Sequence, residues 1–330
     1  MKKHENIALF VNHIGCPHIC SFCNQHVITG QQKRVTSEDI DNAVNTALEH
    51  GFTGGQLAFF GGSFTAVSLE YMLTLLNAAY PYVKNGTVTG IRISTRPDAI
   101  NSHILDILEE YGVESIELGA QSMVDRVLEM NHRGHTAEDV VKASELIKSR
   151  GFELGLQMMT GLYGDSFEGT LESADRIIAL QPATVRIYPA IVLENTELAE
   201  LSRKGIYRPQ TLDEAVTLGA ELINRFEGTG IQIIRMGLHS GGGVDEGYVA
   251  GPYHPAFREL CEGELYLSRA EELLFEKPEG KYILRVAPSE ISKMTGQKRK
   301  NILKLKDKGY QCKVKSDDSL SPYEILVGVE

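Results

Sequence analysis

The sequence predicts an α/β fold: a barrel, or a partly closed one, of parallel strands, with a small α+β subdomain at the C-terminus. Three observations carry this. Short β-branched runs alternate with amphipathic helical patterns, the signature of parallel βα units. Polar, glycine-rich clusters follow one predicted strand after another, as the loops at the C-terminal face of a barrel do. After about residue 265 this rhythm stops and a different one begins.

The candidate strands are IALFVN (7–12), QLAFFGG (56–62), GIRISTR (90–96), SIELGAQ (115–121), ELGLQMM (153–159), TVRIYPA (184–190) and IQIIRMG (231–237), six or seven in all. The first two are separated by TSEDIDNAVNTALEHG, where Thr36 or Ser37 caps, Ile40, Ala43, Val44, Ala47 and Leu48 form an apolar stripe, and Gly51 ends the helix. NSHILDILEEYG and TAEDVVKASELIKSRG repeat the recipe of polar cap, apolar stripe and closing glycine. The loop clusters GCPH, GGSFT, STRPD, GAQS, MTGLYGD, YPA and GLHSGGG then fall at successive strand ends, where functional residues are expected. Beyond these, KYILRVAP, a helical SEISKMTGQKRKNILKLKDKG, YQCKVK and YEILVGV read as a βαββ unit. The expected division is a barrel domain over 1–265 and a basic subdomain over 266–330.

The 330 residues suffice for one barrel of about 250 residues with an appendage. No apolar run approaches the roughly 18 residues of a membrane span. The N-terminal MKKHENIALFVNHIG has a short apolar stretch broken by Asn12 and His13, so no secretory signal is expected and the protein is placed in the cytoplasm. Five cysteines, an odd number in a long chain, argue for reduced thiols over a disulfide framework.

Three of those cysteines gather in GCPHICSFCNQ, at positions 16, 20 and 23, and no fourth follows. Structural zinc takes four protein ligands, and His13, His18 or His26 could complete such a set. A cubane iron-sulfur cluster has four irons, each with an outer ligand, so three thiolates leave one iron open for a substrate or cofactor.

The C-x3-C-x2-C spacing with Phe22 before the last cysteine resembles the radical S-adenosylmethionine (AdoMet) superfamily. The resemblance implies a partial (β/α)6 TIM-like barrel and a 4Fe-4S cluster on Cys16, Cys20 and Cys23. It also implies a flavodoxin- or ferredoxin-like electron donor, and reductive cleavage of AdoMet to a 5'-deoxyadenosyl radical. In FFGGSF, Gly61 and Gly62 match the family's Gly-Gly motif for the methionine amino group, and Ser63 stands where an acid is commoner. Paired glycines admit close backbone approach to a ligand. STRPD (94–98), ELGAQS (117–122), NHRGHT (131–136) and RIYPA (186–190), in this order, resemble the radical domain of the Elongator complex catalytic subunit, which modifies tRNA wobble uridine. More loosely, they resemble the coproporphyrinogen oxidase group. By that likeness Ser94, Arg96, Gln121 and Arg133 surround AdoMet and the neighbouring substrate space. The last 70 or so residues are too few for the Elongator subunit's acetyltransferase domain, so acetyl-CoA chemistry is not expected.

The formal charge is −11, yet residues 293–315 hold nine Lys or Arg against Asp307, which makes that segment +8 and the remainder −19. Lys293, Lys298, Arg299, Lys300, Lys304, Lys306 and Lys308 could track a phosphate backbone, which fits an RNA partner. The alternative is a solvated helix whose Ile302, Leu303 and Leu305 pack on the subdomain sheet. Tyr310 alone stands near for stacking on bases. Cys261 and Cys312 could serve as an auxiliary ligand or redox partner, but isolated cysteines read first as small buried hydrophobes. RNA modification, a small-molecule reaction such as one on a porphyrin, and a zinc module are the functions carried forward.

Overall fold

A computed structural model of the chain describes residues 5–11, 19–24, 33–238 and 244–329. Seven parallel strands form one curled sheet in the order β1 (Glu5–Val11), β2 (Gly55–Gly61), β3 (Gly90–Thr95), β4 (Val113–Gln121), β5 (Glu153–Thr160), β6 (Thr184–Pro189) and β8 (Gln232–Met236). All seven predicted strands are present, and the order follows the chain. Helices cross back between successive strands, so each strand is buried on the helix side, as a parallel sheet requires. The result is the half-barrel the sequence predicts. Between β6 and β8, β7 (Val192–Leu193) pairs antiparallel with the distant β9 (Tyr248–Ala250) in a separate two-stranded sheet, with no periodic signal in two or three residues.

The predicted helices form for the predicted reasons. Thr36 and Asp39 close a reciprocal capping box at the start of helix Ser37–Glu49, and Thr136 with Asp139 does the same for Ala137–Ser149. The helices pack Ile40, Val44, Leu105, Leu108, Val140 and Ile147 onto Leu57, Ile91, Ile93, Ile116, Leu118 and Leu154 of the strands. These outward strand residues alternate with polar ones that face the half-barrel interior. There Arg92 of β3 donates to Gln56 Oε1 at 2.7 Å, to Glu117 Oε1 at 2.9 Å and to Glu153 Oε1 at 2.6 Å.

Helix Phe257–Leu274 runs through the division expected at residue 265. Its Phe257, Cys261 and Leu265 belong to the barrel core, while Tyr266, Leu267, Ala270 and Leu274 belong to a second core. That second core packs beneath a sheet ordered β11 (Tyr310–Ser316), β10 (Gly280–Val286), β12 (Leu326–Val329), parallel on one side of β10 and antiparallel on the other. The single helix expected from residue 289 to 309 is instead broken. Ile291–Thr295 ends at Gly296 (φ +74°), Lys298 and Arg299 take positive φ, and a new helix spans Lys300–Asp307. Asn301 enforces the break, because its buried Nδ2 donates to Gly263 O at 2.8 Å and to Lys293 O and Met294 O at 3.2 Å. Any side chain at 296 would collide with it. Ile302 and Leu305 are buried as expected, but Leu303 points to solvent. Cys261 and Cys312 are buried, and burial raises the Cys312 thiol to about 11. Among the described residues, no helix is long and apolar enough to cross a membrane.

Candidate active site

The C-terminal ends of the parallel strands lie along one edge of the sheet, the mouth of the half-barrel, and the described part of the cysteine segment packs against the loops after β4, β5 and β6. Cys20 is buried and Cys23 half-buried; the Cys23 N–H donates to Cys20 O at 3.0 Å, so the stretch turns tightly. Cys16, with His13, His18 and His26, lies outside the described residues, as does 239–243 of the GLHSGGG cluster. Among the described residues no three His, Cys, Asp or Glu side chains gather to hold a metal. The described end of the segment is latched at several points. Ser21 donates to Asn131 Oδ1 at 2.7 Å, and Leu198 N–H donates to Ser21 O at 2.8 Å. Asn24 Nδ2 reaches Glu194 O at 3.0 Å, and Phe22 packs among Val192, Leu198, Val127 and Leu162. That aromatic is an anchor between two apolar clusters.

Gly61 ends β2 with φ +100°, and a Cβ there would stand 3.1 Å from Val11 O, while the Gly62 N–H donates to the same oxygen at 2.7 Å. The Gly-Gly turn thus lies directly against β1, whose next residues lead into the cysteine loop. Ser63 is turned inward: its hydroxyl meets Thr95 Oγ1 at 2.9 Å and accepts the Arg96 N–H at 3.1 Å. Ser94, two residues beyond Arg92 on the same face of β3, is half-buried and pairs in register with Glu117. The Arg96 guanidinium clasps Asp98 through Nε (2.9 Å) and Nη2 (3.0 Å) and also donates to Arg133 O. Gln121 has φ +66° at a bulge in β4, a device found beside active sites, and accepts from Gln157 Nε2 at 3.3 Å. Arg133 donates through Nη1 to Cys20 Sγ at 3.0 Å and through Nη2 to Gly119 O at 2.7 Å.

The seven residues singled out at the strand ends therefore do gather, but with different faces. Gly61, Gly62 and Ser94 are half-buried at the strand ends, whereas Gln121 and Arg133 are buried and the Ser63 hydroxyl and the Arg96 guanidinium are engaged within the protein. Sequence reasoning missed three contributors. Glu117 and Arg186 lie in quoted motifs without an assigned role; Arg186 donates to both oxygens of Glu117 at 2.7 and 3.0 Å and lies 4.9 Å over the Phe60 ring. Burial opposes the Arg186 charge, but the Glu117 carboxylate overrides it and holds the pKa above its ordinary value. The signal was a charged residue at an interior position of each of three strands, Arg92 in β3, Glu117 in β4 and Arg186 in β6. His135, whose Nε2 lies 3.3 Å from Ala120 O, is lowered to about 4 by burial and by neighbouring Arg133, and so stays neutral.

This site can be set beside known proteins. A model of the radical SAM superfamily matches residues 13–177, half of the chain, and one of its C-terminal domain matches 182–266. The chain belongs to the radical SAM superfamily. An uncharacterized protein of Methanocaldococcus jannaschii is 34% identical over 215 residues, covering 61% of this chain and 65% of that protein. A tRNA uridine(34) acetyltransferase of the same organism is 28% identical over 183 residues, covering 49% of this chain and 34% of that enzyme. In fold, the archaeal Elp3 of Methanocaldococcus infernus with an N-terminal deletion superposes with a TM-score of 0.62 at 20% identity, over 82% of this chain and 64% of that one. The chain spans less than two thirds of the length of each of these relatives.

The site's chemistry fits the radical SAM cofactors. Cys20 and Cys23 are sulfur donors, and a guanidinium donates to Cys20 Sγ. Gly61 lets the turn after β2 approach β1 closely, since a Cβ there would stand 3.1 Å from Val11 O.

Proposed function

We propose that this radical SAM enzyme holds a 4Fe-4S cluster through Cys16, Cys20 and Cys23, binds AdoMet at the vacant iron corner, and modifies an RNA substrate of tRNA type. When bound, the reduced cluster and AdoMet supply a hydrogen-abstracting 5'-deoxyadenosyl radical. The observation that carries the reading is the latched cysteine segment with Arg133 on Cys20, at the same end of the parallel sheet as the Gly61–Gly62 turn. In this arrangement Gly61 and Gly62 offer backbone to the methionine amino group, and Ser94 and Gln121 border the nucleoside. Arg133 has an unpartnered, buried Nε for an AdoMet carboxylate. Ser63 and Arg96 hold these elements in place. A flavodoxin- or ferredoxin-like protein supplies the electron in the reducing cytoplasm.

The RNA assignment is supported by the relative named for tRNA uridine(34) chemistry and by Lys298, Arg299, Lys306 and Lys315, exposed on the C-terminal subdomain. A small-molecule substrate such as a porphyrin is the competing reading. It is favoured by the pairing of Lys293, Lys300, Lys304 and Lys308 with Glu262, Asp213, Glu264 and Glu271, which removes much of the basic face.

Anaerobic reconstitution tests the chemistry: about four irons per chain and 5'-deoxyadenosine under reduction are expected, and a single zinc with intact AdoMet defeats it. Mass spectrometry of nucleosides from total RNA, with and without the gene, tests the substrate. A modified nucleoside missing from the deletion, and RNA binding weakened by Lys298→Gln with Arg299→Gln, are expected. An unchanged nucleoside profile turns the assignment to the small-molecule reading.

A further inference from the structure

Arg133 is 7% exposed and Cys20 8% exposed, and the two meet 113 residues apart in sequence through a 3.0 Å Nη1–Sγ hydrogen bond. Arg133 is held at both its side chain and its backbone. Nη2 is held by Gly119 O, and the Arg133 backbone carbonyl is held by Arg96, itself clasped by Asp98. Gly119 lets this happen, since a Cβ there would come within 3.4 Å of Arg133 Nη2 and 3.0 Å of Gln121 Nε2. Among the described residues no carboxylate pairs with Arg133, although arginines 92, 96 and 186 all have one. A buried charge without a counter-charge is costly. Among the described residues, the group that Nη1 meets is the Cys20 sulfur, which is a thiolate when it ligates a cluster.

From this geometry we infer that Arg133 tunes the iron-sulfur cluster through Cys20, raising its reduction potential; the inference rests on the cluster reading above. Hydrogen bonds to cluster sulfurs and nearby positive charge stabilise the reduced, more negative cluster. Arginine suits the position because its planar fork reaches a sulfur and a carbonyl at once, which a lysine ammonium on a flexible stem does not. Neutral His135 adds no competing charge.

The test is potentiometry of the reconstituted cluster, followed by electron paramagnetic resonance without AdoMet, in the parent, Arg133→Lys and Arg133→Gln, with iron and sulfide counted in each. In Arg133→Gln the ratio of reduced to oxidised cluster at a fixed poise should fall about tenfold, roughly 59 mV for a one-electron couple. Arg133→Lys should shift it the same way by less. An unchanged midpoint in an iron-replete Gln variant overturns the inference while leaving the cluster reading intact. Should the Gln variant fail to load iron, the Lys variant decides by the same criterion. A parent chain that takes up no cluster overturns both.

Discussion

Ser21 donates a 2.7 Å hydrogen bond to Asn131 Oδ1, joining the cysteine segment to the loop after β4 across 110 residues of sequence. Asn131 is fully buried, and its Nδ2 also serves Val127 O at 2.7 Å and Tyr163 O at 2.8 Å. One amide thus ties three segments at the mouth. Asn131→Ala strands a buried hydroxyl and two carbonyls, and should destabilise the apoprotein by about 2 kcal/mol in urea unfolding, with Ser21→Ala costing about 1 kcal/mol. Iron loading should drop in both. Equal stability of Asn131→Ala and the parent would show that the latch contributes nothing.

Glu117 is the shared anion of the half-barrel interior, gripped by Arg92 and Arg186. Glu117→Gln leaves Arg186 without its carboxylate and Arg92 with only the half-exposed Glu153, and should cost about 3–5 kcal/mol. Glu153, whose side chain is 41% exposed, also pairs with Arg92, but Glu153→Gln should cost under about 1 kcal/mol because solvent screens that pair. Similar losses for the two would contradict the burial argument.

Gly219 sits where helix Leu212–Phe226 packs on helix Phe257–Leu274; a Cβ would stand 2.5 Å from Cys261 Sγ and 2.9 Å from Met236 Cε. Gly219→Ala should therefore overpack the core and lower stability by about 1–3 kcal/mol, despite alanine's better helix propensity. In a Cys261→Ala background the same change should cost about 1 kcal/mol less, a coupling measured by a double-mutant cycle. Additive costs would rule out the clash.

His135 should give the fold an acid-side pH dependence. Burial, and then Arg133, hold its pKa at about 4 in the native protein, against about 6.5 in the unfolded chain. The unfolded chain thus binds a proton that the folded one refuses. Stability from this source is complete above pH 6.5 and falls as the pH drops towards 4, by about 3 kcal/mol in all. Denaturation curves across this window should be flatter for His135→Gln than for the parent. Parallel curves would assign the slope to other groups.

Much of this molecule was legible in one dimension. Seven strands, their sequential order and the capped helices between them follow from local periodicity, because each βα unit buries its apolar face against the next. The cysteine spacing and the glycine pair were equally legible, since both are contiguous. What the chain brings together over long range was not. The pairing of Arg133 with Cys20, the Ser21–Asn131 latch and the Glu117 carboxylate between two arginines each join residues 25 to 113 positions apart.

The C-terminal segment marks the same division. Its βαββ order and its excess of lysine were readable from residue types alone. That the helix breaks at Gly296, and that half its lysines face acids of the barrel domain and of helix Phe257–Leu274, was decided only by packing. By itself, the sequence determined which elements form and which sulfur donors are available, because propensity and spacing are local. Only the tertiary structure decided which charges are neutralised and which arginine touches sulfur, because those depend on distances between segments that share no local signal.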